Sequence, residues 1–421
     1  MKKRIFLLIL TFAMLFASGC GETATATETS ETTAESPTAA DSVDRIDPVL
    51  IQRRDTAESY MRSMLTVLWS PEEDILYALD SKAPAESAKQ MLLRSDRIYQ
   101  GMPYGFAGST LAAFMEYCQP DGDLYQLSGL HWKALSGSSL KARIGLDGSS
   151  SLVLSWCQVS TTTNLVSTKT MVTEQGFLPV GPYKTTATKE LTDTQQYCRD
   201  NGEQIMYESY SQMLKADGFV RYTPKRSQAM MAVSVSTVYN EDGTINGQES
   251  TITVLEQNKD YFLDETHVYN EELGCDVYQV GGIDVVYSFL DLYTDGYLPI
   301  TCKELNTVTE HPEPKITDSN NAQKWETCMK GTIKANYNID SLIITIYDES
   351  GNVVQDAAVR TERSSKQVIS LTRFLEDDPG SMRGAIDIDA LDESKYRFVL
   401  VCRLINGEEH ILRDFTFSKG D

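Results

Sequence analysis

Residues 1–46 confine the folded part of this chain to residues 47–421. Lys2, Lys3 and Arg4 precede an apolar run from Ile5 to Phe16. That run is shorter than the ~20 residues a membrane-crossing helix needs, and its charged front matches an export signal. Ala17, Ser18 and Gly19 then lead into Cys20. Small side chains before a cysteine suit a lipoprotein peptidase, and the thiol accepts the diacylglycerol. Residues 1–19 are therefore expected to be removed as a lipoprotein signal peptide, leaving Cys20 lipidated. Each buried CH₂ contributes about 0.8 kcal/mol, so two or three acyl chains make a durable anchor. Residues 20–46 are mostly Thr, Ala, Glu and Ser, with Pro37. Such a segment buries too little apolar surface to offset its ordering entropy, and it reads as a disordered tether. The expected location is the cell surface, lipid-anchored to the outer face of the cytoplasmic membrane.

The roughly 375 remaining residues are enough for two or three domains. A net charge of −22 argues against nucleic acid and anionic membrane patches as partners. Besides Cys20 there are Cys118, Cys157, Cys198, Cys275, Cys302, Cys328 and Cys402, scattered and without a CxxC. That pattern argues against a zinc site and against a disulfide scaffold. Most read as buried thiols; Cys275–Cys302 and Cys328–Cys402 stay open as pairs. Asp387, Asp389 and Asp392 lack the glycine of a calcium loop and read as a solvated turn. No metal or cofactor is expected.

Apolar spacing predicts a helix over Thr56–Leu68 with Asp55 as N-cap, a second over Pro84–Tyr99 and a third over Ser109–Tyr117. Gly148 opens a helix whose apolar face is Leu152, Val153, Trp156 and Val159, with Ser149–Ser151 offering hydroxyls to the first turn. Thr194–Ala216 reads as one more helix. Met230–Tyr239 and Thr251–Leu255 read as strands around the turn at Asn240–Gly243. Beyond the linker His311-Pro-Glu-Pro314 the chain reads as all-β. Tyr396, Phe398, Leu400, Cys402 and Leu404 alternate, and Asn406-Gly407 turns into Ile411–Phe417. A β-sandwich is expected over 311–421.

Helices first, then antiparallel strands, with a small-residue loop feeding a central helix, is the order of papain-like folds. In those folds a Cys at a helix N-terminus is held towards thiolate and a His on the sheet takes its proton. Several segments resemble the NlpC/P60 group of bacterial cell-wall peptidases and amidases, closest to the lipoprotein branch found in Firmicutes. They are Arg53–Arg62 with Trp69-Ser-Pro71, Gly101-Met-Pro-Tyr104, Gly145–Trp156, Leu178–Tyr183, Tyr239–Ile245, Val254–Gln257 and Gly296–Ile300. The resemblance implies an α+β papain-like domain over 47–310, followed by the all-β sandwich.

The same resemblance shows where this chain departs from the family. The family's Asp-Cys-Ser stands here as Asp147-Gly148-Ser149, so Gly148 takes the nucleophile's place. The family's His aligns with Gln228, and Glu256 or Gln257 stands at the third, orienting position. Ala216-Asp217-Gly218 replaces the usual Pro-Gly-Asp loop. Glycine has no nucleophile, and a glutamine amide neither takes nor gives a proton near neutral pH. Tyr104, Asp147 and Trp156 are the expected binding residues.

The expectation is a surface lipoprotein with a degenerate cleft that binds cell-wall peptide, peptidoglycan or a protein partner without hydrolysis. A wall hydrolase rebuilt on Ser149 with His131 or His267 is the alternative, and it needs an imidazole on the Ser149 hydroxyl. Cys157, two turns along the helix, reads as core. In a third reading the first domain is a scaffold and the sandwich is the interaction module. The pair Gly148→Cys and Gln228→His tests whether the cleft is otherwise intact.

Overall fold

The computed structural model describes residues 46–421 apart from 79–89, 106–107, 128–144, 161–162, 164, 174–176, 187–188, 321–322, 361–365, 375–385 and 420–421. The export signal, Cys20, nearly all of the tether and His131 lie outside the described residues. Among the described residues no helix is long and apolar enough to cross a membrane.

Asp47–Asp421 forms one compact unit of α+β architecture. It begins with α1 (Pro48–Thr66). The Asp47 side chain accepts the Val49 N–H at 2.8 Å, and Pro48 occupies the first turn, where a missing N–H leaves nothing unsatisfied. The helix thus starts two turns before the expected Asp55 cap. Ala57, Met61, Met64 and Leu65 form its buried stripe. Next come β1 (Leu68–Pro71), β2 (Ile75–Ala78), β3 (Gln90–Leu93), β4 (Ile98–Gln100), α2 (Leu111–Met115), β5 (Cys118–Asp121) and β6 (Leu124–Leu127). Residues 84–89 of the expected second helix lie outside the described residues. Its remainder is mostly strand, because β3 pairs with β2 and β4 with β1; a short apolar run fits either period, and pairing decides.

The central helix α3 (Gly148–Cys157) is buried along its whole length. After β7 (Phe177–Pro179) come α4 (Thr194–Asn201) and α5 (Glu203–Ser211). These divide the single helix expected over 194–216 at Gly202, whose φ of 82° lies outside the helical region. The second sheet is laid down by β8 (Gly218–Tyr222), β9 (Ser227–Ser236) and β10 (Thr251–Gln257). Then come α6 (Lys259–Leu263), β11 (His267–Asn270), β12 (Cys275–Gln279), β13 (Gly281–Ser288), α7 (Phe289–Asp295) and β14 (Leu298–Cys302). Strand order is β11-β12-β4-β1-β6-β5 in the first sheet and β13-β10-β9-β8-β14-β7 in the second. Helix α3 packs between α1 and the second sheet, against β9 and β10.

The region after residue 311 is β-rich: β15 (Ile316–Asp318), β16 (Thr332–Tyr347), β17 (Val353–Arg360), β18 (Lys366–Ser370), β19 (Lys395–Leu404) and β20 (Glu409–Ser418). The long β16 organises it. Residues 332–335 pair with β15 and β18, and 341–347 pair with β17 and β19, with register shifts between. The alternating residues of β19 face a second core with Leu342, Ile344, Phe415 and Phe417. Ile405, at the β19–β20 turn, belongs instead to the first core.

Candidate functional site

The start of α3 is built by Asp147, whose carboxylate accepts the Ser150 N–H at 2.7 Å and the Ser149 hydroxyl at 2.8 Å. The cap is therefore the aspartate, and Ser149 spends its proton on that cap. Beside it the Gly101–Gly105 loop is tied down by reciprocal bonds. Leu146 N–H donates to the Pro103 carbonyl and Gly105 N–H to that of Leu146, each at 3.0 Å. Tyr104 is thereby held next to Asp147. Burial first, then the charges of Asp147 and Asp260, push its phenol well above the usual range.

The sheet supplies the opposite wall. The register pairs Arg221 with Gln228 and Glu256 with Met230. The start of β9, the end of β8 and the end of β10 therefore share one edge, facing the start of α3. A cleft of about 460 Å³ opens there. Gly148, Ser149, Gln228, Gln257, Tyr104 and Asp147 all line it, together with the 165–168 segment and the start of α6. Two positions 80 residues apart, Gly148 and Gln228, are thus brought to one cavity.

Gln228 donates through Nε2 to Oε2 of Glu256. The other oxygen of Glu256 accepts the hydroxyls of Tyr261 and Tyr287, each at 3.1 Å. Burial raises the Glu256 carboxyl above its ordinary value, and the two tyrosine hydroxyls oppose that shift. Gln257 turns away from this chain of bonds: its Nε2 donates to the Met102 carbonyl at 2.8 Å, fastening β10 to the Tyr104 loop. Of the two candidates for the orienting position, Glu256 is the one bonded to residue 228.

Asp217 fixes the Ala216-Asp217-Gly218 loop at the head of β8. It accepts Nη1 of Arg54 at 2.8 Å, the Thr301 hydroxyl at 2.6 Å and the Leu214 N–H at 2.8 Å. Arg54 also donates to the carbonyls of Lys215 and Leu305 and to the side chain of Asn306. This buried pair joins α1 to the head of β8.

Trp156 does not reach the cleft. It is fully buried, donates from its indole N–H to the Ala216 carbonyl at 2.9 Å and lies 5.0 Å from the Phe177 ring. Two helical turns carry it from the cleft into the core, so its expected binding role is corrected to a packing role. Cys157 is buried beside it, its thiol pushed up to about 12 by burial, a state poor in the thiolate a nucleophile needs. All seven described cysteines are free thiols, so neither candidate pair is joined.

Among the described residues no histidine lines the cleft. His267 sits on β11 with Nδ1 2.9 Å from the Glu265 carbonyl oxygen. His311 is in the linker and His410 on β20 beside Glu408. Nor do the described residues contain a cluster of three metal-ligating side chains.

The rim holds residues that sequence reasoning passed over: Arg221, Lys225, Arg226 and Lys259. Their signal was a basic pair in a turn after Pro224 in an otherwise acidic chain. Strand register brings Lys259 to the same end of the sheet. Comparison with protein-family models and with curated proteins gives no match for this chain.

Proposed function

We propose that this protein is a lipid-anchored surface protein whose NlpC/P60-like, papain-like domain uses its cleft to bind a cell-wall peptide without cutting it. The β-rich remainder, in this reading, is a β-sandwich. The observation that carries the proposal is the placement of Gly148 and Gln228. The positions aligned with the family's Cys and His line one cavity, and neither residue can perform proton transfer or nucleophilic attack. Tyr104 and the Asp147-capped helix start line the same cavity, while room for a side chain at position 148 itself is taken by the backbone of Ala229.

Hydrolysis through Ser149 needs a base on its hydroxyl. That hydroxyl donates to Asp147, an arrangement that serves the helix start. Binding is tested by sedimenting purified full chain with isolated peptidoglycan. Co-sedimentation is expected, weakened several-fold in Tyr104→Ala with the fold intact by circular dichroism. A chain that stays in the supernatant at every wall concentration overturns the reading.

A further inference from the structure

We infer that the β-rich region helps to build one wall of the cleft, with Asn338 as the residue that positions it. That wall is the 165–168 segment, which lines the cavity together with the start of α3. It belongs to no helix or strand, so no ladder of backbone bonds holds it and its place is set by its two ends. At the far end the Lys169 carbonyl accepts the Leu191 N–H at 2.7 Å. At the near end stands buried Thr163. Its carbonyl accepts the Cys157 thiol at 3.4 Å and Nδ2 of Asn338 at 3.1 Å. A thiol is a weak donor, so the amide is the stronger hold.

The other holds on this end are local or without direction. The Thr163 hydroxyl donates to Ser160 at 2.6 Å, which ties the turn only to its own neighbours. Leu165 and Val166 rest partly buried against the first core; apolar burial resists lifting of the wall but has no directional preference. Asn338 is different in kind, because it reaches Thr163 across 175 residues of chain. It is itself fixed. It lies on β16 between the two paired stretches of that strand, is almost wholly buried, and its carbonyl accepts the Ile405 N–H at 3.0 Å. The amide is thus carried on a sheet strand and offered to the loop. This support acts on the free chain and does not depend on what fills the cleft.

The test is labelling of the full chain with iodoacetamide, read cysteine by cysteine in a mass spectrometer, beside limited trypsin cleavage after Lys169. These two sites bracket the wall. In Asn338→Ala, Cys157 is expected to label about fivefold faster, the effect of losing one buried hydrogen bond, and cleavage after Lys169 to rise by a similar factor. Cys198 in the first core and Cys402 in the second are expected to keep their wild-type rates. A wild-type rate at either Cys157 or Lys169 in the folded variant overturns the positioning role. Equal acceleration of all three thiols assigns Asn338 to general stability and overturns it too. Should Asn338→Ala not fold, wild type in rising urea decides. Cys157 is expected to become reactive only together with Cys402, and its exposure at a lower urea concentration than Cys402 overturns the role.

Discussion

A Cβ placed on Gly148 would stand 2.5 Å from the carbonyl oxygen of Ala229. The same atom would lie 3.1 Å from the carbonyl oxygen of Gln257. The head of α3 is therefore seated directly on the backbone of β9 and β10, and the space a side chain at position 148 would occupy is filled by strand.

This contact sets the sign of substitutions at 148. Glycine to alanine in a helix normally gains up to about 1 kcal/mol, but backbone cannot rotate away as a side chain can. Overpacking wins, and Gly148→Ala is expected to lose about 1–3 kcal/mol in urea denaturation. Gly148→Cys with Gln228→His is accordingly expected to stay inactive, since the thiol cannot enter without parting α3 from β9. An unchanged urea midpoint for Gly148→Ala would show that the space exists.

Glu256 makes stability depend on pH. Its carboxyl is raised above the ordinary 4.5 by burial, so between that value and the folded-state value the folded chain holds more protons than the unfolded chain. Stability attributable to this group is full below the unfolded value and falls as pH rises through the folded one. Glu256→Gln removes the titration. The melting temperature of wild type relative to this variant is expected to decline as pH rises above the ordinary carboxyl value of 4.5. A flat difference would show that the carboxyl is not destabilised by its burial.

Arg54 and Asp217 form a buried pair, with side chains only 4% and 3% exposed. Arg54→Met strands the carboxylate, which keeps only Thr301 and the Leu214 N–H. A loss of about 3–5 kcal/mol is expected. The double variant with Asp217→Asn is expected to recover part of it, because no charge is then left buried. Chemical denaturation of both variants checks the difference, and strict additivity would argue against coupling.

The β-rich region is fastened to the first core rather than tethered beside it. Ile405 inserts into that core, Asn338 donates to the Thr163 carbonyl at 3.1 Å, and Arg403 pairs with Glu116 at 2.7 Å. Calorimetry is expected to show one unfolding transition across 47–421. Ile405→Ala is expected to lower it by about 2–5 kcal/mol. Two transitions, with Ile405→Ala moving one alone, would contradict this.

Legibility from sequence tracked the range of the forces involved. The start of α3 was readable because Asp147, Gly148 and three serines are a local signal, and β19 because five alternating residues face one core. The start of α1 was equally local: Asp47-Pro48 is a cap and a first-turn proline, overlooked because the apolar stripe strengthens only later. Residues 90–100 were not readable, since their strand state depends on partners β1 and β2. Gly148 and Gln228 were found by alignment to a motif. The tight seat of Gly148 on Ala229, the bond from Gln228 to Glu256 and the gathering of Lys225, Arg226 and Lys259 arise from strand register. No short window of sequence contains that register.

Release of new free amines from purified peptidoglycan is the most direct test of a cleft that holds but does not cut. Full chain at micromolar concentration is expected to release none above a buffer control while co-sedimenting with the wall. Amines that accumulate with time and disappear in Ser149→Ala would contradict the account.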